Sequence, residues 1–154
     1  MQKKLGLLIA LSLFFLQLFA QKVSFTERYS RLADSLSAVY GIPSSVILGI
    51  AIIESSNGTS RNVRLLKNYF GIVGKNKLHR THGIKTRYKQ YHSDTASFVD
   101  FCKVVSRKNF YPNLKGNPNH KLWIHALSKS GYSEKPAVWE KLILSTINKN
   151  NLAN

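Results

Sequence analysis

Among the side chains able to do chemistry, Glu54 has the most suggestive setting. It closes the apolar run from Pro43 to Ile53 and is followed at once by Ser55-Ser-Asn-Gly58. Hydrocarbon behind a carboxyl group and a turn ahead of it leave the group half desolvated yet able to reach a cleft. Desolvation disfavours the charged form, so the pKa rises and the group can hold a proton at neutral pH. Such a carboxyl is suited to act as a general acid.

Other chemistries find less support. His79, His82 and His92 lie in a basic stretch without cysteine or carboxylate ligands at metal spacing, so no metal site is expected. The chain has no glycine-rich phosphate loop, nucleophile elbow or Cys–His pairing at a known spacing, and no cofactor is expected. Its single cysteine, Cys102, falls on an apolar helical face and reads as a buried structural thiol.

The elements that must position Glu54 are mostly helices. Ser24-Phe-Thr-Glu27 reads as a capping box, opening a helix with Phe25, Tyr29, Leu32, Leu36 and Val39 on one face. Gly41 stops that helix, and Pro43 suits the first turn of the next. From Val46 to Ile53 this second helix is apolar nearly all round, which predicts the buried centre of the domain. A short helical piece is expected over residues 61–68. Lys85 to Tyr91 alternates as a short strand does, which predicts a small hairpin lobe. Ser93 or Asp94 caps the following helix, whose inner face is Phe98, Phe101, Cys102 and Val105. Residues 109–119 read as a loop and 120–129 as a helix. The last helix starts at Ser133-Glu-Lys-Pro136 and is expected to turn Val138, Trp139, Leu142, Ile143 and Ile147 inward. Trp123 and Trp139 both read as core, and the asparagine-rich tail from Asn148 is expected to fray.

Four motifs carry a resemblance. The stretch from Tyr40 to Ser60, with Glu54, Ser55, Gly58 and Ser60, is similar to the glucosaminidase family of peptidoglycan hydrolases around its catalytic glutamate. That family includes bacterial autolysins and flagellar rod-assembly muralytic domains. Asn68-Tyr-Phe-Gly-Ile72 resembles its Asn-aromatic-Phe-Gly-Ile segment, and Tyr88-Lys-Gln-Tyr-His-Ser93 through Ser97-Phe98 resembles a further stretch. Gly131-Tyr-Ser-Glu-Lys-Pro136 and Trp139-Glu-Lys-Leu142 resemble its Gly-Tyr-(Ala/Ser)-x-x-Pro motif and final helix. The four occur in register, over roughly residues 24–148.

The resemblance implies a lysozyme-like fold: mainly α, formally α+β, with a helical lobe around a buried central helix and a small, shortened β-hairpin lobe. It implies an endo-beta-N-acetylglucosaminidase that cleaves the glycan strand of peptidoglycan at N-acetylglucosamine. By position Glu54 is its general acid, and Tyr132 matches a tyrosine in the cleft that positions substrate or water. Ser55, Gly58, Tyr69, Phe70 and Tyr91 are carried over as substrate-binding or cleft-shaping residues. One departure matters. Glycosidases generally use two carboxylates, and many members place the second in the hairpin lobe, whereas this chain has no Asp or Glu between Glu54 and Asp94. Three routes stay open at this point: Asp94 reaches the cleft, the substrate's own 2-acetamido group serves as nucleophile, or Glu54 works alone and leaves an anhydro product. A catalytically impaired wall-binding or assembly domain of the same fold is the alternative function.

Composition agrees with this setting. Residues 1–20 combine Lys3 and Lys4 with an almost wholly apolar run from Leu5 to Phe19, the form of a secretory signal cut after Ala20. Residues 21–154 then form a single domain, expected to be a monomer exported to the periplasm, envelope or medium. Loss of Lys3 and Lys4 takes the formal net charge from +16 to +14. So basic a domain seeks polyanions. Peptidoglycan strands and anionic wall polymers are the expected partners. Nucleic acid is not, because no recognition-helix or zinc signature accompanies the charge. The lobe cations Lys75, Lys77, Arg80, Lys85, Arg87 and Lys89 concentrate charge close in sequence to Tyr69–Ile72.

Overall fold

The computed structural model describes residues 23–153, so the signal-peptide expectation for residues 1–20 lies outside the described residues. Eight helices occur among the described residues: α1 (Phe25–Tyr40), α2 (Ser44–Ser55), α3 (Arg61–Leu66), α4 (Leu78–His82), α5 (Asp94–Ser106), α6 (Tyr111–Leu114), α7 (His120–Lys129) and α8 (Pro136–Lys149). The architecture is mainly α. α1 opens with the predicted capping box, in which Ser24 Oγ accepts from the Glu27 N–H and the Glu27 carboxylate accepts from the Ser24 N–H.

α2 is the centre of the domain, as its all-round apolarity predicts. Every residue from Ser45 to Ile52 is buried, and the helix packs against α1, α7 and α8. Gly49 permits the close approach of α8. A Cβ at this position would lie 2.7 Å from Ile147 Cγ1, inside contact distance, so only glycine allows the two helices to meet at this spacing.

Three apolar residues expected inside stand outside: Val39, Val138 and Leu142 are 69, 64 and 47% exposed. The reason is angular. The inward face of α1 is Tyr29, Ala33 and Leu36, and that of α8 is Trp139, Ile143, Thr146 and Ile147. At 3.6 residues per turn these sets define narrow stripes, and the three exposed residues fall beside them. The tail also differs from expectation. Beyond α8 the Leu152 N–H donates to the Ile147 carbonyl at 3.0 Å, and the Leu152 side chain packs on the core.

The hairpin lobe is reduced to one antiparallel bridge, Val73 to Tyr88. Side chains take over where further rungs would stand. Asn76 Nδ2 donates to the Thr86 and Tyr88 carbonyls, both at 2.9 Å. The short helix α4, which alternation did not predict, occupies the tip and is pinned by the buried Leu78. The lobe is fastened to α5 by Asp100, which accepts from Lys89 Nζ and Tyr91 Oη at 2.7 Å each. Burial pushes the Asp100 carboxyl up, but these two donors outweigh it and hold it below the ordinary range.

Candidate active site

Three successive left-handed residues, Ser56, Asn57 and Gly58, end α2 directly after Glu54 (φ 51, 54 and 76°). Ser55 Oγ accepts from the Gly58 N–H at 2.8 Å, and the Ser55 carbonyl accepts from the Ser60 N–H at 2.9 Å. Glycine suits the last of the three because L side chains avoid this region, and a Cβ there would sit 3.3 Å from the Phe25 ring. Ser55 is fully buried. Ser55 and Gly58 thus build the turn that halts the helix, and neither lines the cleft in front of Glu54.

The facing wall is the segment Asn68–Ile72. Asn68 is fully buried and uses its whole hydrogen-bonding capacity. Its Nδ2 donates to the Ile72 carbonyl at 2.8 Å and the Lys89 carbonyl at 2.9 Å, while its Oδ1 accepts from the Phe70 and Ile72 N–H groups at 3.3 and 3.1 Å. One amide side chain therefore shapes the turn and ties it to the lobe. Asn68→Asp replaces two donors by an acceptor aimed at two carbonyls. The expected cost is about 2–4 kcal/mol of stability, read as a fall in the chemical-denaturation midpoint; an unchanged midpoint contradicts it.

That turn brings Gly71 (φ 67°) over the carboxyl group, where a Cβ would lie 3.6 Å from Glu54 Oε2. A cleft of about 320 Å³ opens here, lined by Glu54, Phe70, Gly71, Tyr88, Arg87, Lys108 and Tyr132 among others. Glu54 is partly buried, and burial raises its pKa, an effect opposed in part by a hydrogen bond from Trp139. Trp139 Nε1 donates to Glu54 Oε1 at 2.8 Å. The other oxygen, Oε2, accepts from and donates to no described residue. An indole N–H can only donate, so Oε1 is fixed as acceptor and the acid proton belongs on Oε2, toward the cleft.

Tyr132 stands beside this pair. Its ring lies 5.2 Å from that of Trp139 and its hydroxyl donates to the Phe70 carbonyl at 3.0 Å. Burial, then the Glu54 carboxylate, push the phenol well above its ordinary pKa, so it stays neutral. Its oxygen can still accept from a substrate hydroxyl or a water. Phe70 is stacked on Phe101 with centroids 4.1 Å apart, which sets the cleft floor.

Tyr69 and Tyr91 are buried and do not line this cleft. Tyr29 Oη gives its one proton to Asp94 Oδ2 at 2.7 Å, so in the 2.6 Å contact between the two phenols Tyr69 is the donor. Tyr91 is spent on Asp100. Asp94 thus sits in the first turn of α5, behind the cap Ser93, and is engaged by Tyr29. The other acids are also placed elsewhere. Glu27 caps α1, Asp34 accepts from Ser44 at 2.6 Å, Glu140 accepts from Ser128 at 2.8 Å, and Glu134 is exposed before α8. All seven acids lie among the described residues, and Glu54 alone lines the cleft.

Trp139 is the residue that sequence reading missed. Its apolar face gives burial, and it is 7% exposed, but periodicity says nothing about the indole N–H. A buried indole nearly always finds an acceptor. Trp123, the other one, uses the Asn117 carbonyl at 2.9 Å. Once α8 is known to pack on α2, Glu54 is the acidic acceptor that α2 offers. Cys102 is fully buried, and burial pushes its thiol up to about 12, which makes it inert. Among the described residues no three His, Cys, Asp or Glu side chains are grouped to hold a metal ion, and no helix is long and apolar enough to cross a membrane.

Residues 30–152 match the Glucosaminidase family, described as mannosyl-glycoprotein endo-beta-N-acetylglucosaminidase. Among solved structures, the glycoside hydrolase domain of FlgJ from Salmonella typhimurium is similar at 22% identity and a TM-score of 0.64, over 82% of this chain and 86% of that one. The catalytic domain of the autolysin Auto from Listeria monocytogenes is similar at 19% identity and a TM-score of 0.69, over 84% of each chain. A type VI secretion system effector-immunity complex from Pseudomonas protegens gives 22% identity and a TM-score of 0.58, over 84% of this chain and 92% of that one. At these identities the likeness is one of fold, and that fold is the mainly α, lysozyme-like one. No curated protein matches the chain.

Proposed function

The chain belongs to the glucosaminidase family, and we propose that it is an exported peptidoglycan hydrolase cleaving the glycan strand at N-acetylglucosamine, with Glu54 as general acid. One observation carries this reading: a partly buried carboxyl group has one oxygen held by an indole N–H and the other open to a cleft. Glu54 Oε2 gives its proton to the glycosidic oxygen as the C1–O bond breaks, and the bonding pair leaves with the departing sugar. The Trp139 N–H then steadies the carboxylate left behind. Tyr132 positions substrate or water from the side.

The absence of any other carboxylate in the cleft favours one route to completion. The substrate's 2-acetamido oxygen bonds to C1 as the leaving group departs. Water then opens that ring, bonding to C1 and returning a proton to Glu54. Export follows from the signal-like residues 1–20. Mass spectrometry of fragments from purified walls tests the reading. A reducing N-acetylglucosamine end is expected. A reducing muramic end or an anhydro end overturns the bond or the route, and tight wall binding without soluble fragments favours the impaired assembly domain.

A further inference from the structure

Two cations line the Glu54 cleft, and neither has an acidic partner. Lys108 follows α5 and is partly buried; its Nζ donates once, to the Ser130 carbonyl at 3.2 Å. Arg87 comes from the lobe and is exposed, with its guanidinium carbon 5.8 Å from the Tyr88 ring centroid. Elsewhere Asp100 pairs with Lys89, and Glu140 contacts the His125 ring. With Glu54 protonated, the cleft carries two positive charges and no negative one. A partly buried lysine with one neutral acceptor has donors to spare, and a guanidinium on a ring face keeps its fork free for a carboxylate. Both features point to an anion that the chain itself does not supply.

We propose that Arg87 and Lys108 form an anion subsite beside Glu54, selecting glycans that bear carboxylates next to the scissile linkage over neutral N-acetylglucosamine polymers. The proposal rests on the cleft being a wall-glycan site. A peptide stem, or a lactyl group that carries no stem, supplies that chemistry, and the two cations come from different parts of the chain, Arg87 from the lobe and Lys108 from just after α5. A strand threaded past Glu54 thus meets a positive charge from each of these two segments. This fixes its register as well as its affinity.

Sedimentation with sacculi stripped of accessory polymers tests this, using Glu54→Gln protein so that binding is read without cleavage. Three forms are compared: native, amidase-treated to remove peptide stems, and with all carboxylates capped as amides. Capping is expected to weaken binding by about fivefold or more. Adding Arg87→Gln and Lys108→Gln should produce the same loss on native sacculi and no further loss on capped ones. Lys121→Gln with Lys149→Gln removes two exposed charges outside the cleft and should preserve the difference between native and capped sacculi. Lys108→Arg keeps the charge and should keep the selectivity. Amidase breaks the lactyl–peptide amide and frees a lactyl carboxylate on the sugar, so binding kept after amidase shows that the subsite accepts that carboxylate, and binding lost with the stems assigns the anion to peptide. If capping has no effect, or both double variants lose binding alike, the subsite does not exist. Selective binding by a wild type that releases no fragments would leave the subsite standing and sink the enzymatic reading instead.

Discussion

Replacing Glu54 by glutamine is expected to abolish wall clearing and, at the same time, to stabilise the fold at neutral pH. The loss follows from the proton on Oε2. Glutamine keeps the Oε1 acceptor for Trp139 but has no acid to give, and general acid catalysis accounts for roughly 10²–10⁴-fold in rate. The stability gain follows from burial. Burial raises the pKa of Glu54 in the folded chain, so the folded state favours the protonated form relative to the unfolded one. Its contribution is fully present below the unfolded pKa and is lost as pH rises through the raised value. Glutamine does not titrate and escapes that loss. Melting temperatures of the two proteins should therefore coincide near pH 4 and diverge toward neutral pH, with Glu54→Gln the higher. Equal clearing of walls by the two proteins would dismiss Glu54 as the acid. A melting difference that ignores pH would dismiss its burial as the cause.

This coupling of activity to instability explains what the sequence could and could not disclose. The buried centre was legible because α2 is apolar on all sides, and no other placement hides so much hydrocarbon. Glu54 was legible for the same reason: it interrupts that run just before a turn. The capping box and the cap of α5 are local chemistry, set by residues three apart; the box appears as read, and of the two cap candidates Ser93 takes the role while Asp94 falls in the first turn. What escaped depends on contacts between distant segments. The Trp139–Glu54 bond joins residues 85 apart in sequence. The four bonds of Asn68 explain why an asparagine precedes Tyr69-Phe-Gly-Ile, yet three of them need the position of Ile72 or Lys89 in space. Alternation over residues 85–91 did signal an extended segment. It could not show that Asn76 replaces ladder rungs, since a side-chain amide leaves no period in the sequence.

Trp139→Phe separates positioning from packing at the acid. Phenylalanine preserves an aromatic ring against Tyr132 and removes the N–H, at a packing cost of about 1–3 kcal/mol for the lost ring volume. The hydrogen bond from Trp139 lowers the Glu54 pKa, because it favours the carboxylate over the neutral acid. Two effects are therefore expected together. At its low-pH plateau kcat falls, since the carboxylate formed on proton transfer has lost a charge-assisted bond. Such a bond is worth about 1.5–3 kcal/mol, or roughly 10- to 100-fold in rate. The alkaline limb of the profile moves to higher pH, because the unassisted acid holds its proton longer. General damage to the core lowers the plateau without moving the limb. A pH–rate profile of Trp139→Phe on soluble glycan reads both at once, and a depressed plateau with an unmoved limb would reduce Trp139 from a positioning residue to filler in the core.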